Sequence, residues 1–214
     1  MTSLSLSERA DRYRAAFPRQ PASWPWLTTE QGRPVLYAVW VIGARYGNAS
    51  RLYGAYPRTY LERVWALYPD VDPARALHAF SGSVSAGPWT RLDANPEREP
   101  DVVGSVLDAP SVLAPRIAVI GGRFQLALAD PPYSAEDAKR YGTPMVNRRL
   151  AVRALAKVVE PGRHLVWLDT CWPIHSKREW VTVGRVLVQR STMHRARVMT
   201  LFERTGEERR LWEA

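Results

Sequence analysis

The stretch "ALADPPYS", residues 127–134, ends a short apolar run on a carboxylate, two prolines and an aromatic ring. Proline has a fixed φ and no amide donor, so neither a helix nor a central strand continues through Pro131 and Pro132. One reading is a rigid strand-to-loop corner, because aspartate before proline is a common turn start. The other is chemical. It places an acceptor, Asp130, and a ring, Tyr133, at the end of a strand, where open parallel sheets bind their ligands. Asp93 ends another short run in "RLDANP", and is either a ligand-binding carboxylate or a helix N-cap. Arg149, Arg153 and Lys157 lie four apart on one helical face, either for phosphate contacts or as an ordinary solvated surface. His78, His164, His175 and His194 are scattered, and with the single Cys171 they make no metal signature.

The elements that must position these groups follow from periodicity. "SLSERADRYRAAF" reads as a short helix with Ser7 as its N-cap, and "PRQPASWPW" interrupts regular structure with its prolines. Residues 35–47 read as an apolar helix or strand, with helix preferred. Residues 56–69 read as a helix, with Tyr60, Leu61, Val64, Trp65 and Tyr68 at three- and four-residue spacing. From residue 75 strands alternate with helices. Strands are expected over 75–80, 89–96, 100–108, 123–130 and 163–170, and a helix over 144–159 beginning at Pro144. A hairpin is expected from 180–190 and 196–205. Such alternation implies an α/β fold with a mainly parallel sheet covered on both faces. The loops after residues 80, 93, 108 and 130 should then share one rim. Residues 135–144 read as a polar loop beside that rim, with Lys139, Arg140 and Tyr141 as its substrate contacts. Trp65, Trp167 and Trp180 sit in apolar runs as core, whereas Trp24, Trp26 and Trp172 lie beside prolines at a surface or pocket.

The 214 residues suffice for one core, here divided into a lead-in segment, 1–49, packed on a main domain, 50–214. No apolar run reaches the roughly 20 residues needed to span a bilayer. The N-terminus lacks the basic-then-apolar order of a signal peptide, and one cysteine allows no internal disulfide, so a cytoplasmic protein is expected. Basic residues outnumber acidic ones 30 to 21, giving a net charge of +9, and only three of the basic residues are lysine. Arginine pairs with phosphate bidentately and stacks on bases, which suits a nucleic-acid partner. A coding bias toward arginine gives the same composition.

The order of these elements resembles the class I S-adenosylmethionine-dependent methyltransferases over about residues 50–205. "DPPYS" is similar to the (D/N/S)-P-P-(Y/F) motif of family members that methylate exocyclic amines, above all the N6-adenine DNA enzymes. The resemblance implies a Rossmann-like fold, S-adenosyl-L-methionine as cofactor, no metal, and a nucleic-acid substrate, DNA favoured over RNA. It implies that Asp130 and the Pro131 carbonyl polarise the amine, that Pro132 stiffens the corner, and that Tyr133 stacks on the base. "HAFSGSV" looks like the family's glycine loop, with Phe80, Ser81 and Gly82 against the cofactor. His78 stands there in place of an acidic residue and Val84 in place of a second glycine. Asp93 matches the carboxylate that binds the ribose hydroxyls, and Ser105 or Asp108 would lie beside the adenine. Tyr56 and Pro57 in "YGAYPRTY" are similar to an element lining the methionine end. RNA bases, as adenine N6 or guanine N2, are the second substrate reading. A degenerate fold that only binds nucleic acid or protein is the third.

Overall fold

From Arg33 to Ile42 the chain alternates: Leu36, Ala38, Trp40 and Ile42 are buried while Val39 and Val41 are exposed. A period of two with this β-branched and aromatic content is a strand. β2 (Arg33–Ile42) therefore corrects the helix expected over 35–47. The computed structural model describes residues 3–43, 56–57, 59–190 and 196–206. The boundary expected between residues 49 and 50, and His194, lie outside them.

The described residues form α1 (Leu6–Ala16), β1 (Trp26–Glu30), β2, α2 (Tyr60–Leu67), β3 (Ala76–Ala79), β4 (Thr90–Asp93) and β5 (Val102–Val103). They continue through α3 (Ala109–Val112), α4 (Ala114–Val119), β6 (Phe124–Ala129), α5 (Ala135–Arg140) and α6 (Arg148–Ala156). β7 (Val159–Asp169), β8 (Trp180–Arg190) and β9 (Arg197–Arg204) complete them. One sheet runs in the order β1-β2-β8-β9-β7-β6-β3-β4-β5. β5, β4, β3, β6 and β7 are mutually parallel, and β9 inserts antiparallel between β7 and β8. This is the expected Rossmann-like α/β architecture with its terminal hairpin. β2 adds parallel to β8, and β1 folds back antiparallel as the edge, so the first residues extend the same sheet. Gly184 marks the register shift of β8, where a Cβ would come within 2.7 Å of Leu201, so the bulge requires glycine.

Both faces are covered. α1 and α2 bury Tyr13, Tyr60, Val64 and Leu67 against Trp40 and Leu168. On the other face Leu113, between α3 and α4, and Val152 and Leu155 of α6 pack with Trp167, Trp180 and Phe202. Among the described residues no helix is long and apolar enough to cross a membrane.

Several boundaries move for local reasons. Ser5, not Ser7, caps α1 in a reciprocal box with Glu8, whose carboxylate accepts from the Ser5 amide at 2.8 Å. Asn147 rather than Pro144 starts α6, accepting from the Leu150 amide at 3.1 Å. The third strand shrinks to Val102–Val103, because Ser105 caps a 3-10 turn over Val106–Asp108. The expected polar loop at 135–144 contains α5, capped by Ser134 (Asp137 amide to Oγ, 3.1 Å). Its acids lie in the first turn and its bases in the last, as the helix dipole favours.

α1 is held by a buried charge. Arg9 is 1% exposed, donates to the Leu67 carbonyl (2.9 Å) and Asp70 (2.7 Å), and lies over the Tyr68 ring. Removing one partner strands the other in a low-dielectric site. Asp70→Ala should therefore lower the unfolding free energy by about 3 kcal/mol in a urea titration. A loss below about 1 kcal/mol, the range of a surface pair, would show that the pair does not anchor α1.

Candidate functional site

The carboxyl ends of β3, β4, β6 and β7 lie level, with Ala79 paired to Leu92 and Ala129, and Ala129 to Trp167. Three aspartates stand on this rim: Asp93 ends β4, Asp130 follows β6, and Asp169 ends β7. Each does something different there.

Asp130 is partly buried, and Pro131 and Pro132 behind it are buried. Tyr133 donates its hydroxyl back to Asp130 Oδ1. The Arg197 guanidinium of β9 lies 4.9 Å from the centroid of the Tyr133 ring. Desolvation pushes the Asp130 carboxyl up to about 6, opposed by the Arg197 charge and the Tyr133 hydrogen bond and aided by Asp169. Tyr56 and Tyr60 face the same carboxylate from before and within α2. Burial first, and the Asp130 charge among the further causes, push both phenols well above their ordinary value. Tyr141, just past α5, is shifted up by burial and then by Asp130. The loop is clamped from below. Arg148, the first residue of α6, donates to the Tyr133 carbonyl (3.1 Å) and to both oxygens of the fully buried Asp169 (2.6 and 3.2 Å).

The glycine loop lies on the same rim. Phe80 and Gly82 both take positive φ, +57° and +50°, which is uncommon for a phenylalanine. Asp93 ties this turn to β4, accepting from the Gly82 amide at 2.7 Å and from the Asn95 amide at 2.9 Å. Each oxygen keeps a further lone pair. The buried Ser81 Oγ and Tyr56 Oη have no hydrogen-bond partner among the described residues. A buried polar atom left so costs about 1–3 kcal/mol, and beside a strand-end rim such atoms suit a polar ligand. Val84 turns into the core between sheet and α2. His78 is buried between the Tyr56 and Trp89 rings, and burial, followed by Arg91, pushes it down to about 4, so it stays neutral.

No family model matches the chain, and no curated protein matches its sequence. Among solved structures it is similar to the crystal structure of TrmN from Thermus thermophilus, with 10% identity and a TM-score of 0.49. That likeness covers 71% of this chain and 50% of the other, so the chain spans about half the length of that protein. The strand order itself carries the fold assignment.

The structure thus brings together Asp130, Tyr133, Tyr56 and Tyr141, and beside them Ser81, Gly82 and Asp93. Tyr141 reaches the rim because its carbonyl accepts from Asn95 Nδ2 at 3.0 Å, linking the end of α5 to the turn after β4. Pro57 is buried next to Tyr56. Lys139 and Arg140 are exposed on α5. Ser105 spends its hydroxyl on the Leu107 amide (3.1 Å), and Asp108 is exposed at the end of that turn. Trp167 and Trp180 are core, Trp65 is partly buried, and Trp26 and Trp172 are 47% and 62% exposed. Sequence reasoning missed Arg148, Asp169 and Arg197. "WLDT" did signal Asp169, as a third strand ending in aspartate, whereas Arg197 carried no local signal. Among the described residues no three His, Cys, Asp or Glu side chains gather as a metal site.

Two measurements test this geometry. Arg197→Gln should raise the Asp130 pKa above 6 in a carbon-13 carboxyl titration; an unchanged or lower value would show that Arg197 does not act on it. Asp130 also makes stability pH-dependent. Its unfolded carboxyl titrates near 3.8 and its folded one near 6, so the folded chain holds the proton more tightly. That contribution is full below pH 4 and is lost as pH rises through 6. Asp130→Asn should therefore melt above the wild type at pH 8 and close to it at pH 4. The same difference at both pH values would rule this origin out.

Proposed function

We propose that this protein transfers a methyl group from S-adenosyl-L-methionine to an exocyclic amine of a nucleic-acid base, with adenine N6 in DNA as the first substrate and an RNA base as the second. The observation that supports it is the Asp130–Tyr133 corner at the end of β6, on one rim with the loop of Ser81 and Gly82 and with Asp93. The residues present fit the methyl donor. Asp93 has acceptor capacity for ribose hydroxyls, and Ser81 Oγ and Tyr56 Oη, without partners among the described residues, offer polar groups to its other end. When bound, the donor supplies an electrophilic methyl on a sulfonium.

The chain's own residues answer the amine's problem. An exocyclic nitrogen is a poor nucleophile, because its lone pair is delocalised into the ring. Asp130, ionised above about pH 6, accepts one N–H, and the Pro131 carbonyl accepts the other. Two fixed acceptors draw the nitrogen toward tetrahedral geometry and favour the positive charge that develops on it. The surplus proton of the amine would pass to Asp130, whose raised pKa makes it a competent base near neutrality. Tyr133 holds Asp130 Oδ1 and leaves Oδ2 for the amine, and its ring stacks on the base. Arg197 favours the ionised carboxylate, and the Arg148–Asp169 pair holds the loop. A base must leave a duplex to reach such a corner.

The test is nucleoside mass spectrometry after incubation with methyl-labelled donor and separate DNA and RNA pools. Label on N6-methyladenine in DNA supports the first substrate, and label in RNA replaces it with the second. Asp130→Ala should abolish label while calorimetric affinity for S-adenosylhomocysteine stays within about twofold. Tyr133→Ala should cost roughly 5- to 150-fold in kcat/KM, the equivalent of 1–3 kcal/mol of stacking. The wild-type rate should fall as pH drops through 6. A wild type with no affinity for either form of the donor would sink the enzyme reading in favour of a binding module.

A further inference from the structure

A second concavity begins where the Asp130 corner is clamped. Arg148 joins the Tyr133 carbonyl to Asp169, and the two chain segments that meet at this pair diverge as walls of a cleft. One wall is α6 from Asn147 to Arg153, and the other is the stretch after β7 from His175 to Glu179. The cavity between them measures about 590 Å³. Its walls are tied at the bottom by Trp180 Nε1, which donates to the Val152 carbonyl at 3.0 Å. Thr205 and Arg204 of the β9 end hold the second wall through the Arg178 and Glu179 carbonyls.

The lining is cationic beyond what its acid can match. Arg149, Arg153 and Arg178 face one carboxylate, Glu179, which Arg153 approaches at 3.7 Å. Arg149 and Arg178 stand on opposite walls, exposed, and neither side chain has a hydrogen-bonding or acidic partner among the described residues. The segment between β7 and the second wall carries Trp172 and Ile174, 62% and 73% exposed and outside the cavity's lining. One face of Trp172 rests on the Arg185 guanidinium at 5.1 Å.

We propose that this cleft holds backbone phosphates of the nucleic-acid strand that flank the base presented to Asp130, with Trp172 as a stacking surface for a neighbouring base. The inference rests on the methyltransferase reading above. Facing guanidinium forks match phosphate oxygens, and phosphate contacts set register without reading sequence. A cavity of this volume is larger than one small anion needs, and an exposed indole beside a basic channel is how single strands are held without sequence preference. Arg149 is the residue next to the one bonded to the Tyr133 carbonyl, so the Arg149 end of the cleft lies nearest the target, while Arg178, two residues before β8, lies toward the opposite edge of the sheet.

Fluorescence anisotropy with labelled single-stranded DNA and RNA over a salt series tests the cleft. R149E/R178E should bind at least tenfold more weakly. Its log–log salt slope should be shallower by about 1.4, the equivalent of two phosphates at roughly 0.7 each. R149K/R178K should keep the wild-type slope. R12E/R19E, the same charge change on and just beyond α1, should bind within about twofold of wild type. Unchanged calorimetric affinity for S-adenosylhomocysteine in R149E/R178E verifies the fold and the donor side. A wild-type slope and affinity in R149E/R178E, while the wild type labels a base, overturns the cleft alone. Equal weakening by R12E/R19E also overturns it. A wild type with no salt-dependent affinity for either nucleic acid overturns both the cleft and the base as substrate. Loss of anionic-vesicle binding in R149E/R178E with nucleic-acid binding intact assigns the cleft to a membrane surface instead.

Discussion

The Arg148–Asp169 pair is the constraint on which the arrangement of the site depends. Asp169 is fully buried at the end of β7 and also accepts from the Trp167 indole (3.2 Å) and the Thr170 amide (2.7 Å). Its charge is tolerable there because a guanidinium and fixed N–H groups surround it. The same guanidinium holds the Tyr133 carbonyl. One bidentate fork thus fixes the start of α6, the end of β7 and the proline corner relative to one another. Prolines stiffen a loop from within but do not say where it points. The direction of the Asp130 corner is set from outside, by an arginine 18 residues downstream in the chain.

The frame was legible where apolar runs were short and bounded by turn residues. β3, β6, β7 and the β8–β9 hairpin could be read because buried parallel strands are nearly continuous in apolar residues. β2 was misread because a ten-residue run of Val, Tyr, Trp and Ile fits a buried helix or a strand equally well until its partner is known. That partner, β8, lies at the other end of the chain. Pro144 attracted the start of α6, yet Asn147 won because a side-chain acceptor satisfies an orphan amide and a proline only removes one. Within the site, Asp130 and Asp93 could be read from their place at strand ends. Ser105 could not, since a serine before a helical turn is as often a cap as a ligand. Arg197 could not either, because its importance comes from tertiary proximity alone.

Polar burial is distributed unevenly, and the unevenness separates scaffold from site. His164 and His78 are both pushed down, to about 3 and about 4, by burial first. His78 lies between the Tyr56 and Trp89 rings and His164 beside the Tyr68 ring, and both act as uncharged core. The same desolvation raises the Asp130 carboxyl, to about 6, while an arginine keeps its ionised form within reach. A group poised in this manner is costly to the fold and useful to proton transfer.

The parallel pairing of β2 with β8 has a consequence for how the chain is made. Leu36 sits beside Gly184, so two segments on the order of 150 residues apart must meet before the sheet is complete. On a ribosome the first strand emerges early and waits, with β1 on one side and an open ladder on the other. Loop closure over that span is slow relative to local contacts. The capped α1 and its Arg9 anchor shield one face of β2 only once α2 has emerged. The last strands synthesised therefore complete the sheet, and a chain truncated before β8 leaves the amino-terminal hairpin as an unpaired edge, the kind of surface on which chains associate with one another.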